Sequence, residues 1–355
     1  IGYADVESKL KAKDYSKYRI GSISKTFTAA LVLKAVETDT LDLNKTIDQY
    51  FPTIENADKI TIGQLLNHRS GIANFTNHPD YLTWNTEPKS ESEMIEIIAA
   101  GGSSFKPDTK ADYSNSNYVL LTYILEKAFQ KSYKEILENQ ITKPLNLENT
   151  YLGGKTNIQN NECKSYKMMG EWIEEPETDI SIPLGAGGIV STASDLVTFS
   201  NALFNHKIIN EQSLEKMKTL TDNYGMGLFQ YPFFDKKIFG HTGGIDGFSS
   251  FFGYFPSENI SYAIVSNGNN FNQNDISIAV LSAVFDKPFD IPEFKSIELT
   301  SEVLDKYLGI YSSTEIPLKI TITKGNKTLI AQATGQSSFP LEAISEHTFE
   351  FKQAG

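Results

Sequence analysis

The chain has 355 residues, 40% of them hydrophobic, which is enough to bury a substantial core and is typical of about two domains. Its formal net charge of −12 repels phosphate backbones, so nucleic acid is not expected as a partner. Cys163 is the one cysteine, which excludes an internal disulfide. No apolar run reaches the roughly 18 to 20 residues that span a bilayer, so no membrane span is predicted.

Hydrophobic periodicity predicts a series of helices in the first two thirds of the chain. One helix is expected to open at Gly21-Ser22, because apolar residues follow at positions 23, 27, 30, 31 and 33. Further helices are predicted over residues 91–100, 116–131, 134–140, 193–204 and 211–220. The middle of the chain is therefore expected to be rich in helix.

Aromatic and β-branched runs predict strands from residue 224 onward. These runs cover residues 224–231, 237–239, 248–255 and 260–266, and a turn at 256–259 makes the last two an antiparallel hairpin. A helix over 275–285 follows. Helices between an early and a late β part indicate an α+β fold, with an antiparallel sheet flanked by helices and a helix-rich subdomain.

A change in composition predicts a second, smaller domain. Residues 288–300 contain Pro288 and Pro292 and are interpreted as a linker between a main domain, 1–287, and a small β module, 301–355. In the module, residues 318–323 alternate with period two, Gly325-Asn326 makes a turn, and 328–333 form the returning strand.

The Ser-x-x-Lys pattern occurs four times, beginning at positions 8, 22, 103 and 213, and only Ser22 opens an apolar helix. The three-residue offset places the amine of Lys25 beside the Ser22 hydroxyl on one helix face. A serine hydroxyl becomes a good nucleophile when a base takes its proton, and lysine can do so only when its amine is neutral. Burial of Lys25 must therefore lower its pKa.

Two further motifs supply the other groups that acyl transfer needs. Tyr113-Ser114-Asn115 precedes a predicted helix: Tyr113 can share a proton with Lys25 and pass it to a leaving group, and Asn115 can bind a substrate amide. In His241-Thr242-Gly243-Gly244, placed between predicted strands, glycines such as Gly243 let a substrate lie against the chain. The N–H of Gly244 could join that of Ser22 in an oxyanion hole, with His241 and Thr242 facing the far end of the substrate.

These three motifs resemble the signature boxes of the serine β-lactamase and penicillin-binding protein family, in the spacing of its class C branch. That branch includes D-alanyl-D-alanine carboxypeptidases, D-aminopeptidases and hydrolases of small esters. The resemblance covers residues 1–285 and implies a β-lactamase/transpeptidase-like fold. Segments 65–71 and 187–192 resemble secondary boxes that are expected to be structural. Residues 307–311 resemble the start of a lipocalin-like extension, here expected to be truncated or packed differently.

One departure from the class C pattern bears on the substrate. Class C β-lactamases usually have lysine where this chain has His241, whereas His-Thr-Gly resembles the box of D,D-carboxypeptidases and esterase-like relatives. The resemblance thus implies a D-alanyl-D-alanine carboxypeptidase-like serine hydrolase, in which His241 and Thr242 bind a terminal carboxylate. The alternatives are an esterase of small esters, a weak β-lactamase, and a non-catalytic sensor that binds penicillin or peptide.

No metal or other cofactor is predicted, because none of the five histidines is spaced as a ligand pair. The expected partner is a small-molecule or peptide substrate, and the sequence does not predict an oligomeric state. A periplasmic or exported location is implied by the family resemblance alone.

Overall fold

The computed structural model describes residues 2–291, 297–312, 319–325, 327–333 and 338–351. Within these ranges, no helix combines the length and the apolar character needed to cross a bilayer. The helices are α1 (Ser24–Glu37), α2 (Ile62–Leu66), α3 (Tyr81–Trp84), α4 (Glu91–Gly101), α5 (Asn115–Phe129), α6 (Tyr133–Leu137), α7 (Leu184–Gly187), α8 (Ala193–Phe204), α9 (Glu211–Lys218), α10 (Gln273–Val284) and α11 (Ser301–Leu304).

The strands pair antiparallel throughout the described ladders, which confirms the predicted α+β class. They are β1 (Tyr3–Asp5), β2 (Leu10–Lys11), β3 (Tyr18–Arg19), β4 (Tyr151–Leu152), β5 (Tyr166–Met168), β6 (Trp172–Glu174), β7 (Ile189–Ser191), β8 (Phe229–Phe233), β9 (Lys236–Ile245), β10 (Phe248–Phe255), β11 (Ile260–Ser266), β12 (Gly309–Tyr311), β13 (Ile320–Lys324), β14 (Leu329–Ala333), β15 (Phe339–Ala343) and β16 (Phe349–Glu350).

The chain divides into two compact units. The larger unit is Ile1–Lys164 with Pro176–Asn267, and the smaller unit is Ser165–Glu175 with Gly268–Gly355. The hairpin β5–β6 and helix α10 therefore belong to the smaller unit. The domain limits expected from the sequence, 1–287, 288–300 and 301–355, stay a prediction.

Helix α1 forms the centre of the larger unit. Eleven of its 14 residues are buried, so it is enclosed on all sides rather than on one face. Phe27 of α1 stacks on Phe199 of α8 with ring centroids 3.6 Å apart, and Phe199 meets Phe252 of β10 at 6.2 Å. These rings join α1 to the sheet of order β11-β10-β9-β8. Smaller sheets, β3-β7-β4 and β1-β2, complete this unit.

The smaller unit contains a five-stranded antiparallel meander in the order β12-β13-β14-β15-β16. Strands β13 and β14 correspond to the two strands predicted around the Gly325-Asn326 turn. Leu318 and Asn326 of that prediction, and residues 292–296 of the predicted linker, lie outside the described residues. A small C-terminal strand module is therefore present, as the sequence predicts.

Two sequence predictions near the main sheet are wrong in their limits. The strand expected over 224–231 begins only at Phe229, because Gly227 has φ +72° and packs against α1. A Cβ on Gly227 would lie 2.7 Å from the Cβ of Ala29, and the Thr26 hydroxyl donates to the Gly227 carbonyl at 2.7 Å. The strand expected over 237–239 extends to Ile245, so the segment His241–Gly244 lies within β9 instead of between strands.

A buried arginine ties the β9–β10 turn to the chain just before Ser22. Arg19, with 3% of its side chain exposed, donates to Asp246 Oδ2 at 3.2 Å and to Glu177 Oε2 at 3.1 Å. It also donates to the carbonyls of Thr178 and Gly154. Asp246 is the first turn residue after β9, with φ +51°, and its Oδ1 accepts from the Thr178 hydroxyl at 2.6 Å. The network holds β9 beside residues 19–22.

We expect Asp246→Ala to lower the free energy of unfolding by about 3–5 kcal/mol, because it leaves a buried guanidinium with one carboxylate fewer. Urea denaturation would measure this change. Glu91→Ala is the matched control, since it removes one partner of the exposed Lys127–Glu91 ion pair and should cost no more than about 1 kcal/mol. Equal, small losses in both variants would contradict a stabilising role for the buried network.

Candidate active site

Ser22 lies in a single 3-10 turn, Gly21–Ile23, that leads directly into α1. Gly21 has φ +50°, a conformation that favours glycine, and it packs against the backbone of β9. Ser22 is partly exposed, whereas Lys25 in the first turn of α1 is fully buried. The Lys25 Nζ lies 2.9 Å from Ser22 Oγ, so the structure brings the predicted pair together. Their catalytic roles stay a prediction.

The Lys25 amine is surrounded by hydrogen-bond acceptors. It lies 2.7 Å from Asn115 Oδ1 and 2.6 Å from the Ala186 carbonyl oxygen. The Asn115 amide is oriented by its Nδ2, which donates to Thr76 Oγ1 at 3.1 Å. Burial lowers the pKa of Lys25 well below its usual range. A neutral amine has two N–H groups, which the two carbonyl oxygens accept, and its lone pair then points to the Ser22 hydroxyl.

The Ala186 carbonyl is a part of the site that the sequence analysis did not assign. It belongs to the short helix α7, which packs tightly on α1 and α5: a Cβ on Gly185 would lie 2.6 Å from both Thr28 Oγ1 and Thr122 Oγ1. A backbone carbonyl carries no side-chain signal. The neighbouring Gly187-Gly188 resemblance was the available hint, and the sequence analysis treated that segment as structural.

Tyr113 is another close neighbour of Ser22. Its hydroxyl interacts with the Ser22 side chain, which partly offsets the effect of burial on the Tyr113 pKa, and Lys25 Nζ lies 4.9 Å from the centroid of its ring. Burial raises the pKa of Tyr113, so the phenol stays protonated at neutral pH and can donate. The ring packs between His68, at 4.6 Å, and His241, at 6.3 Å between centroids.

His68 positions the Tyr-Ser-Asn segment, a contact that the sequence analysis missed. The ring is 2% exposed, and its Nδ1 accepts the backbone N–H of Ser114 at 3.1 Å. A backbone N–H only donates, so Nδ1 carries no proton, and burial lowers the pKa of His68 well below its usual range. His68 is thus a neutral acceptor packed on Tyr113.

The second half of β9 lies along the turn Gly21–Ile23, which contains Ser22. Strand β8 pairs only with residues 236–240 of β9, so the segment from Thr242 to Ile245 extends beyond that partner. A Cβ on Gly21 would lie 2.7 Å from the backbone nitrogen of Gly244. A Cβ on Gly243 would lie 2.0 Å from the Ile20 carbonyl oxygen. Gly244 is therefore beside Ser22, as expected, and the oxyanion role of their N–H groups stays a prediction.

His241 and Thr242 lie on opposite faces of β9. Thr242 is exposed, and its side chain and backbone interact with Tyr231, a residue not assigned from the sequence, and partly offset the burial that raises the pKa of Tyr231. His241 is 2% exposed and packs on Phe229, with ring centroids 4.9 Å apart. Its Nδ1 lies 2.5 Å from the Thr242 carbonyl, so Nδ1 bears the proton.

The remaining nitrogen of His241, Nε2, is buried and has no hydrogen-bond partner in the part of the chain that the structure describes. Burial lowers the pKa of His241 to about 3. His241 is therefore neutral, and its predicted contact with a substrate carboxylate stays a prediction. Over the same described residues, no group of three or more His, Cys, Asp or Glu side chains is arranged to hold a metal ion.

Comparison with known proteins identifies the family. The family model described as Beta-lactamase matches residues 1–285. The chain belongs to this family. Its membership confirms the resemblance drawn from the three motifs, together with the β-lactamase/transpeptidase-like fold, and it supports the predicted serine hydrolase.

Individual relatives in the family carry different names. Protein flp of Staphylococcus aureus is 27% identical over 76% of this chain, which spans only 56% of that protein. Penicillin-binding protein 4* of Bacillus subtilis is 25% identical over 98% of this chain and 83% of its own length. The solved structure of a D-amino acid amidase from Ochrobactrum anthropi SV3 matches with a TM-score of 0.71, at 26% identity over 80% of this chain and 88% of that one.

We expect Gly21→Ala to lower kcat/KM by about a hundredfold, because a Cβ at φ +50° would meet Gly244 backbone atoms at 2.7–2.8 Å and push β9 away from Ser22. Hydrolysis of a nitrophenyl ester would measure the effect. Gly154→Ala is the control, since no atom lies within 4 Å of the added Cβ, and it should change kcat/KM by less than about twofold. Similar rates for the two variants would contradict this packing.

The lowered pKa of Lys25 predicts how stability depends on pH. Between this lowered pKa and the ordinary value of 10.5, Lys25 is neutral in the folded state and protonated in the unfolded state. The unfolded state then binds more protons, so stability rises with pH in this window.

We therefore expect the difference in free energy of unfolding, wild type minus Lys25→Met, to increase by up to about 1.4 kcal/mol per pH unit. Urea denaturation at several pH values from 7 to about 10 would measure it. Lys127→Met, at an exposed lysine of α5, should give a flat difference and serves as the control. A flat difference for Lys25→Met as well would show that its amine is charged in the folded state.

Proposed function

We propose that the protein hydrolyses amide or ester bonds of small D-amino acid derivatives through an acyl-enzyme on Ser22. The observation that carries this proposal is the contact of Lys25 Nζ with Ser22 Oγ at 2.9 Å, beside two carbonyl oxygens that can accept the N–H groups of the neutral amine. A buried, neutral amine with its lone pair toward a hydroxyl is the arrangement that general-base activation of serine needs.

In the first step, Ser22 Oγ attacks the substrate carbonyl carbon while its proton moves to the Lys25 amine. The negative charge that develops on the carbonyl oxygen is stabilised by the backbone N–H groups of Ser22 and Gly244. The bond from the carbonyl carbon to the leaving nitrogen or oxygen then breaks. Tyr113 donates its phenol proton to the leaving group and regains a proton from Lys25, so the departing amine or alcohol is neutral.

In the second step, water attacks the ester carbon of the acyl-enzyme. Lys25 and Tyr113 take up the water proton and return it to Ser22 Oγ as the ester bond breaks. The products are a carboxylic acid and the free serine hydroxyl, so one water is consumed per bond cleaved. Asn115 holds the Lys25 amine through both steps, which adds a positioning role to the substrate contact expected from the sequence.

The D-configured substrate class is supported by the relatives. One of them is named a D-amino acid amidase and another a penicillin-binding protein. The D-alanyl-D-alanine carboxypeptidase inferred from the sequence falls within this proposal, as peptides ending in a D-residue are amides of D-amino acids. The esterase and weak β-lactamase alternatives use the same acyl-enzyme, and a periplasmic or exported location stays a proposal from resemblance.

We expect incubation with a nitrophenyl ester of N-acetyl-D-alanine to add one acyl mass to the protein, detectable by intact-mass spectrometry. Ser22→Ala should abolish the adduct. Ser8→Ala is the matched control, because Ser8 also begins a Ser-x-x-Lys pattern but is exposed and donates to Asp5.

The lifetime of the adduct separates the remaining alternatives. An ester adduct that forms and disappears as nitrophenol and acid accumulate supports a hydrolase. An adduct that persists with every acyl donor supports the non-catalytic sensor instead. No adduct with any acyl donor would overturn acylation at Ser22 altogether.

A further inference from the structure

Arginine is the side chain best suited to bind a substrate carboxylate, because its guanidinium can donate two parallel hydrogen bonds to it. Arg19 and Arg69 are the only two arginines of the chain, and both lie in the described residues. Arg19 is bound to Glu177 and Asp246 in the buried network. Arg69 is paired with two carboxylates of its own, those of Asp108 and Asp222. Each guanidinium therefore already forms ion pairs with carboxylates of the protein.

His241 does not replace a missing arginine. Its one N–H is held by the Thr242 carbonyl, and its Nε2 presents a buried lone pair. A carboxylate is an acceptor, so neither ring nitrogen offers it a hydrogen bond. Lys25 does not supply a donor either, because the two N–H groups of its neutral amine are accepted by Asn115 Oδ1 and the Ala186 carbonyl.

In the part of β9 that extends beyond β8, from Thr242 to Ile245, the one side-chain donor is uncharged. That donor is the hydroxyl of Thr242, which interacts with Tyr231 of β8. Neutral hydroxyls suit the carbonyl or the N–H of an amide, or the carbonyl of an ester, whereas strong carboxylate recognition uses charge-assisted donors. The net charge of −12 adds a field that disfavours anionic ligands.

We propose that the site takes acyl donors whose leaving side is uncharged, namely carboxamides and esters, and discriminates against donors with a free carboxylate next to the scissile bond. This inference rests on the proposed function and narrows it, because it sets amidase and esterase activity ahead of carboxypeptidase activity. It departs from the terminal-carboxylate contact that the His-Thr-Gly motif suggested.

The test compares two ligands that differ only in that charge. Hydrolysis of the nitrophenyl ester of N-acetyl-D-alanine by the wild-type protein is the reporter, and N-acetyl-D-Ala-D-Ala and its C-terminal amide are the competitors. We expect the amide to inhibit at a concentration at least about tenfold lower than the free acid, the difference that one unmatched charged hydrogen bond produces. Equal or stronger inhibition by the acid, or inhibition by neither, would overturn the inference.

Two further measurements locate the cause and separate this inference from the proposed function. Thr242→Val should weaken inhibition by the amide more than by the acid; selective weakening of the acid would instead mean that Thr242 binds a carboxylate. Raising the salt concentration should narrow the difference between acid and amide, because it screens the net negative charge. Ester hydrolysis that is lost in Ser22→Ala, combined with a preference for the acid, would overturn the substrate class alone and leave the acyl-enzyme in place.

Discussion

The burial of the Lys25 amine is the constraint on which the rest of the site depends. An ammonium in the core would lose its hydration, and the described contacts of Lys25 supply carbonyl and hydroxyl oxygens in place of a carboxylate. These neighbours decide the protonation state of the Lys25 amine. A carboxylate partner would keep the Lys25 amine protonated, so that it could not act as a base. The two carbonyl oxygens instead accept the N–H groups of the neutral amine and leave its lone pair directed toward Ser22.

The aromatic surroundings of Tyr113 belong to the same electrostatic arrangement. His68 and His241 pack near its ring, and burial keeps both imidazoles neutral. Neutral rings add no positive charge that would stabilise a phenolate, so Tyr113 keeps its proton. In the proposed mechanism, an acid and a base thus lie on either side of the Ser22 hydroxyl in a region of low polarity, where each has the protonation state that proton transfer requires.

Much of this could be predicted from the sequence, for identifiable reasons. Strands β10 and β11 have the predicted limits, because aromatic alternation and a clear turn mark both ends. Ser22 and Lys25 were found because helical spacing is a local property. The Ala186 carbonyl and the acceptor role of His68 Nδ1 depend on tertiary contacts between distant segments and on backbone atoms, which leave no side-chain pattern. The burial of His241 was missed because the strand containing it was predicted to end at residue 239.

The ion pair between Arg19 and Asp246 joins residues 227 positions apart in the sequence. Contacts of such high sequence separation form only after a long loop has closed, so they come late when a chain folds. The turn that contains Ser22 and the strand that packs against it, β9, are therefore not yet in contact in a partly folded chain, even where each has formed locally. If Ser22 is acylated as proposed, a covalent label on it would report only those chains in which the two segments have come together. The fraction of chains that can be acylated would then measure refolding yield more strictly than the recovery of helix content.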